Sequence, residues 1–145
     1  MSKIKMKYGI DLGTTNSAIC KMENGEPTII KTSTQKDIMP SCVAFNKKGS
    51  PIVGDKAVAI LDKDRKAAAK HGKSEGNVFI EFKRTMGLDT KYSSSNMGRD
   101  YTSEELSAEV LKALKSFVSE DNVNAAVITI PAKFKTDQIA ATKRA

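Results

Sequence analysis

Gly9-Ile10-Asp11-Leu12-Gly13-Thr14-Thr15-Asn16-Ser17 is the stretch on which the reading of this chain turns. Met6 to Asp11 read as an apolar strand ending in a carboxylate, and Leu12 to Thr15 as a turn with Gly13 as its flexible member. Residues 17–23 read as a second strand, Asn24-Gly25 as a two-residue hairpin turn, and residues 27–32 as a third strand. The chain is therefore expected to open as a three-stranded antiparallel meander. A strand that ends in Asp and runs into Gly-Thr-Thr suits a phosphate and metal site. The glycine lets backbone approach a phosphate, successive N–H groups can cradle the anion, and the two threonine hydroxyls can donate further hydrogen bonds. Asp11 could hold a magnesium ion through its hydration water, since that ion keeps several waters. The segment lacks the Gly-Lys-Ser/Thr of a P-loop. It is also not the dinucleotide fingerprint, because a strand rather than a helix follows. An ordinary hairpin turn accounts for Asp-x-Gly-Thr as well, and these residues alone leave both readings open.

Outward from this loop, Pro40 interrupts Asp37 to Phe45 before a strand at Cys42–Phe45, and Lys47 to Ser50 form a turn. Asp55 to Lys66 fit a helix, with Asp55 as its cap and Ala57, Ile60 and Leu61 on one face. Residues 67–76 are expected to be exposed, 77–87 are apolar with a Lys83-Arg84 pair, and 89–100 are polar and turn-rich. Thr102 followed by Glu105 is a capping box, opening a helix whose Leu106, Val110, Leu111, Leu114 and Phe117 form one apolar face. Val123 to Ile130 suit a strand buried on both faces, ended by Pro131, and Thr136 to Ala145 read as a further helix. The order is β-β-β, an insert, then α-β-α, which makes this an α/β chain with a mixed sheet and packed helices.

Composition narrows the function classes. The chain is 39% apolar and 28% charged over 145 residues, enough for one globular core. Its N-terminus lacks the apolar segment and cleavage site of a signal peptide, and no apolar run could span a bilayer. A cytoplasmic protein without a membrane partner is expected. The net charge is +7, but no aromatic residues interleave with the lysine-rich stretches to stack bases, so no nucleic-acid partner is expected. Cys20 and Cys42 have neither metal nor redox spacing and read as reduced, packed thiols. His71, in a Lys/Gly-rich stretch, reads as a solvated residue.

The segment Gly9 to Ser17 resembles the first phosphate motif of the heat shock protein 70 (DnaK-type) chaperones, within the actin-like ATPase and ribonuclease H-like fold. Three further segments are similar to that family in the same order: Met39-Pro40-Ser41 with Val43-Ala44-Phe45, Val53-Gly54-Asp55-Lys56-Ala57, and Val127 to Phe134. The resemblance covers nearly the whole chain. It implies that Gly13, Thr14, Thr15 and Asn16 bind the phosphates of ATP or ADP, with Asp11 behind the hydration water of Mg2+. It implies that Lys83 is the catalytic lysine beside the γ-phosphate, stabilising charge on the transferring phosphoryl group. It makes Pro131 a relay of nucleotide state towards a substrate domain. Without the resemblance, Lys83 reads as a solvent-facing lysine and Pro131 as a strand terminator.

By the same resemblance, the parent protein is a stress-response chaperone that couples ATP hydrolysis to binding and release of unfolded polypeptides. Its partners are peptide clients, a J-domain co-chaperone and a nucleotide exchange factor. Ile139 stands where the family usually carries arginine, which puts ordinary interdomain coupling and J-domain stimulation in question. Lys133 replaces a usual tyrosine, and Thr85-Met86 a usual Leu-Ile. The family's second phosphate loop and peptide-binding domain are not among these residues. The expectation is an inactive first lobe, with a core subdomain at about 1–36 and 100–145 and an inserted subdomain at about 37–99. A sugar-kinase-like phosphotransferase and a non-enzymatic binding module are the alternatives.

Overall fold

The opening meander forms as its alternation dictates. Strand β1 (Tyr8–Leu12) pairs antiparallel with β2 (Asn16–Glu23), with Ile10 opposite Ile19 and Leu12 opposite Ser17. The hairpin at Asn24-Gly25, both with positive φ, returns the chain as β3 (Glu26–Ile29). Tyr8, Ile10, Leu12, Ser17 and Ile19 point to one face and are buried there. The structure, a computed structural model, describes residues 7–72, 76–118, 125–130 and 134–145.

A short pairing of β4 (Met39–Pro40) with the start of β2 carries the chain into a second sheet. There β5 (Cys42–Phe45) lies between β6 (Pro51–Val53) and β7 (Val78–Ile80). All four residues of β5 are buried, because this strand has neighbours on both edges and helix α1 (Asp55–His71) packs over the sheet. The helix differs from expectation at both ends. Its N-cap is Gly54, at φ +89°, not Asp55. Asp55 sits in the first turn instead, where its carboxylate suits the positive helix end and accepts from Thr34 and Lys36. The helix also runs past Lys66 to His71, carried by the strong helix former Ala at 67–69, until left-handed Gly72 closes it. His71 is thus helical, though exposed as expected. Ala57 is fully buried, Leu61 is half-buried and Ile60 lies at the rim.

After β7, Glu81 takes a left-handed conformation (φ +55°) and starts a short 3-10 helix, Phe82–Thr85. The expected polar loop at 89–100 contains a hairpin, β8 (Tyr92–Ser94) with β9 (Arg99–Tyr101). Strands of three residues are too short to show alternation. Tyr101 stacks on Phe45 at 4.4 Å between ring centroids, and Tyr92 meets Phe79 edge-on at 5.7 Å. Asn77 ties the hairpin to β7, its side chain bonding Ser94, Ser95 and the Asn96 N–H.

Helix α2 (Ser103–Ser116) begins with the expected capping box between Thr102 and Glu105. Leu106, Val110 and Leu114 are buried, each contributing about 1.5–3 kcal/mol by leaving water. They meet Ile10, Leu12 and Ile19 of the first sheet and Val43, Phe45 and Phe79 of the second in one continuous core. Strand β10 (Val127–Thr129) pairs in parallel with β1, completing a mixed sheet in the order β10-β1-β2-β3. It is not buried on both faces: Ile128 packs on the core, but Val127 is 55% and Ile130 41% exposed. Among the described residues β10 has only β1 beside it in the sheet. Helix α3 (Thr136–Arg144) forms as expected and is held to α2 by a two-pronged Arg144–Glu104 pair.

Candidate functional site

The loop between β1 and β2 is tight because of Gly13. A Cβ there would stand 2.1 Å from the Asn16 carbonyl oxygen, a distance only a glycine permits. Two loop carbonyls are held from the same side by one residue of the following segment. Ser41 Oγ donates to the Gly13 oxygen at 2.8 Å, and the Ser41 N–H donates to the Thr15 oxygen at 2.8 Å. Since the Ser41 hydroxyl proton is committed to Gly13, the 2.7 Å contact between Ser17 and Ser41 has Ser17 as donor. Ser17 and Ser41 are 1% and 3% exposed, so this serine chain is a closed interior fixture. Among the described residues nothing engages the hydroxyls of Thr14 and Thr15. Thr14 is half-buried, and Thr15 and Asn16 are exposed. The loop is thus clamped by its carbonyls while its donors stay available.

Lys83 is brought to this loop from 70 residues away in sequence. It is 6% exposed, and its ammonium donates to the Leu12 carbonyl, one residue before Gly13. The ammonium also lies 5.5 Å from the centre of the Phe134 ring, a cation–π distance. The solvent-facing alternative for Lys83 is therefore wrong. The cause is local: strained Glu81 and buried Phe82 turn the 3-10 helix so that Lys83 points inward. Burial holds its ammonium below the ordinary lysine pKa, and the Asp11 carboxylate acts in the opposite direction. A buried cation with few partners is costly to keep, and such groups cluster at functional sites.

Asp11 is exposed at the end of β1 and is oriented by a 3.0 Å hydrogen bond from Thr129, its register partner on β10. One carboxylate cannot cage a metal, and the described residues hold no cluster of three metal-binding side chains. A single exposed carboxylate fits an ion that keeps most of its own water, as magnesium does. Asp11, Gly13, Thr14, Thr15, Asn16 and Lys83 are thus gathered at one end of the sheet. Pro131 lies outside the described residues. Ile139 is half-buried in the first turns of α3.

A concavity of about 280 Å³ adjoins the loop, lined by Thr14, Thr15, Asn16, Ser41, Cys42 and Glu81 among others. A concavity of about 560 Å³ lies between α2, β6 and the start of α1, where Asp55 is already engaged. Cys20 and Cys42 are both free thiols. Burial pushes Cys42 up to about 12, with Arg65 opposing and Asp62 adding to the shift, so it stays protonated and inert.

Two members of this arrangement were not singled out from sequence. Ser41 was legible only as part of a Pro-Ser segment, and nothing in that pattern says its hydroxyl holds Gly13. Thr129 sits in an apolar run whose register against β1 is a tertiary fact.

No described helix is long and apolar enough to cross a membrane. A family model described as "Hsp70 protein" matches residues 7–145, nearly the whole chain. Members of that family are nucleotide-binding ATPases of the chaperone class, using ATP or ADP with Mg2+. The match spans the clamped Asp-Leu-Gly-Thr-Thr loop, the buried lysine beside it and the mixed sheet that brings them together. The chain belongs to the Hsp70 protein family, and its sheet with packed helices is part of that family's actin-like ATPase fold.

Proposed function

We propose that these residues form one wall of the ATP site of a chaperone that couples ATP hydrolysis to the capture and release of unfolded polypeptides. Thr14 and Thr15, with the N–H groups from Gly13 to Asn16, take the phosphates. Asp11 would stand behind the hydration water of Mg2+, which, when bound, would supply charge that offsets that of the phosphates. Lys83 stabilises negative charge on the transferring phosphoryl group and helps orient the attacking water. The single observation that carries this reading is the delivery of a buried ammonium from the 3-10 helix to the carbonyl preceding Gly13. A lysine serving only solubility would have no reason to be desolvated there. Pro131 as an interdomain relay, unfolded clients, an exchange factor and a cytoplasmic setting belong to the same proposal, which the family match supports. Ile139, where the resemblance leads one to expect arginine, puts ordinary interdomain coupling and J-domain stimulation in question. No observation favours the sugar-kinase or binding-module alternatives.

Two measurements test this. The 145 residues alone bind Mg-ATP weakly or not at all and do not turn it over, because a single wall supplies part of the phosphate contacts and no orientation from the opposite side. Calorimetric titration giving micromolar or tighter binding refutes that. In the complete ATPase, Lys83→Ala abolishes hydrolysis and leaves nucleotide binding largely intact, and retained turnover removes Lys83 from the mechanism.

A further inference from the structure

The 3-10 helix that presents Lys83 is not self-sufficient. It has four residues, begins at a left-handed Glu81, and the backbone bonds at its two ends, Arg84 N–H to Glu81 and Met86 N–H to Lys83, are both 3.2 Å, at the long end of the usual range. What fixes its orientation comes from outside. The Phe82 carbonyl, which belongs to the same peptide unit as the Lys83 nitrogen, accepts from Ser103 Oγ at 2.7 Å. Thr85 Oγ1 lies 3.0 Å from that carbonyl, in hydrogen-bond contact with Ser103 Oγ, and 2.7 Å from the Tyr92 hydroxyl.

These four contacts share three protons, one from each hydroxyl. One contact therefore carries no proton, and the order that leaves the longest of the four, Thr85 Oγ1 to the Phe82 carbonyl at 3.0 Å, without one is a directed relay. Tyr92 donates to Thr85, Thr85 to Ser103, and Ser103 to the Phe82 carbonyl. The three hydroxyls come from β8, the end of the 3-10 helix and the first turn of α2, so the relay ties the Lys83 peptide to two other elements. Ser103 is 2% exposed and water does not compete there.

We propose that Thr85 is a positioning residue for Lys83, acting through the Tyr92–Thr85–Ser103 relay on the Phe82 carbonyl. This rests on the assignment of Lys83 to phosphoryl transfer. A lysine side chain is about 6 Å long, so tilting its peptide by about 10° moves the ammonium by about 1 Å. A misplacement of that size near reacting atoms lowers rate by up to about 100-fold.

The test is steady-state ATP hydrolysis by the complete ATPase containing this chain. Thr85→Val keeps shape and removes the hydroxyl, and kcat falls about 10-fold while KM for ATP stays within about twofold. Thr85→Ser restores the hydroxyl and returns kcat to within about threefold of the parent. Tyr92→Phe removes only the head of the relay, keeps the ring against Phe79, and carries the test if the valine variant does not fold. It lowers kcat in the same direction by a smaller factor. An NMR titration of the Lys83 ε-group adds a readout independent of turnover: in Thr85→Val it titrates closer to an ordinary lysine. Equal activity in the Val and Ser variants, or a loss carried by KM, overturns the proposal. Lys83→Ala separates the two layers. If it abolishes turnover while Thr85→Val changes neither kcat nor the Lys83 titration, the positioning role alone fails. If it retains turnover, the role of Lys83 fails and the proposal with it.

Discussion

Ser41→Ala removes one oxygen and unsettles two partners. The Gly13 carbonyl loses its donor, and the buried Ser17 hydroxyl loses its acceptor. A buried polar group left unpaired costs about 1–3 kcal/mol. Ser17 is 1% exposed and cannot turn to water, whereas Gly13 is half-buried and recovers part of its loss. The expected destabilisation is therefore about 2–3 kcal/mol. Ser17→Ala leaves the Ser41–Gly13 bond in place and costs about 1 kcal/mol. The double variant strands only the Gly13 carbonyl, so its cost is about 2 kcal/mol, less than the sum of the singles by about 1–2 kcal/mol. Urea unfolding followed by circular dichroism measures all four proteins. With a slope of about 2 kcal/mol per molar urea, Ser41→Ala lowers the midpoint by about 1 M. A shift below about 0.3 M, or strict additivity in the cycle, refutes the clamp as a hydrogen-bonded unit. A changed slope in any variant would mean that the loop's disorder has spread and that the cycle no longer isolates the pair.

Further outcomes follow from the same geometry. Gly13→Ala forces the Asn16 carbonyl away from its present position, where a Cβ would meet it at 2.1 Å. Backbone strain of this kind costs about 1–3 kcal/mol in urea unfolding. Each 1.4 kcal/mol of that distortion felt at the phosphates lowers ATP affinity of the complete ATPase by about tenfold. Wild-type stability and affinity in this variant would show that the loop is not as tight as described. Cys42 has its thiol raised from 9.0 to about 12 by burial. Since the folded state holds its proton more tightly, its contribution is intact below pH 9 and is lost as pH rises from about 9 towards about 12. At pH 8 the folded chain should leave Cys42 unlabelled by a disulfide reagent until denaturant is added. Rapid labelling of Cys42 in the folded chain contradicts the burial of that thiol.

Local signals decided much of this protein before any packing was known. The alternation of Tyr8 to Leu12 and Ser17 to Met22, broken by Gly13 and Asn24-Gly25, specifies a meander because strand faces repeat every two residues. Thr102 and Glu105 announce α2 because a capping box needs only residues three apart. The phosphate loop was legible for the same reason, since all its parts are neighbours in the chain. Other features depended on elements distant in sequence. The run from Ala125 to Ile130 has the composition of a doubly covered strand, but burial depends on what lies alongside, and among the described residues β10 has one neighbouring strand. Asp55 looks like a helix cap until Met39 packs against Gly54, the actual N-cap, and Thr34 and Lys36 engage the carboxylate. Lys83 is an unremarkable lysine in its own segment. It becomes a desolvated cation only because β1, the 3-10 helix and Phe134 converge on it. Ser41 clamps Gly13 only because β4 pairs with β2. Hydrogen-bond partners and burial belong to residue pairs far apart in sequence. The amino acids alone therefore determined the opening meander, α2 and the loop, whereas the tertiary structure decided the β8–β9 hairpin, the 3-10 helix and how Ser41 and Lys83 are placed on the loop.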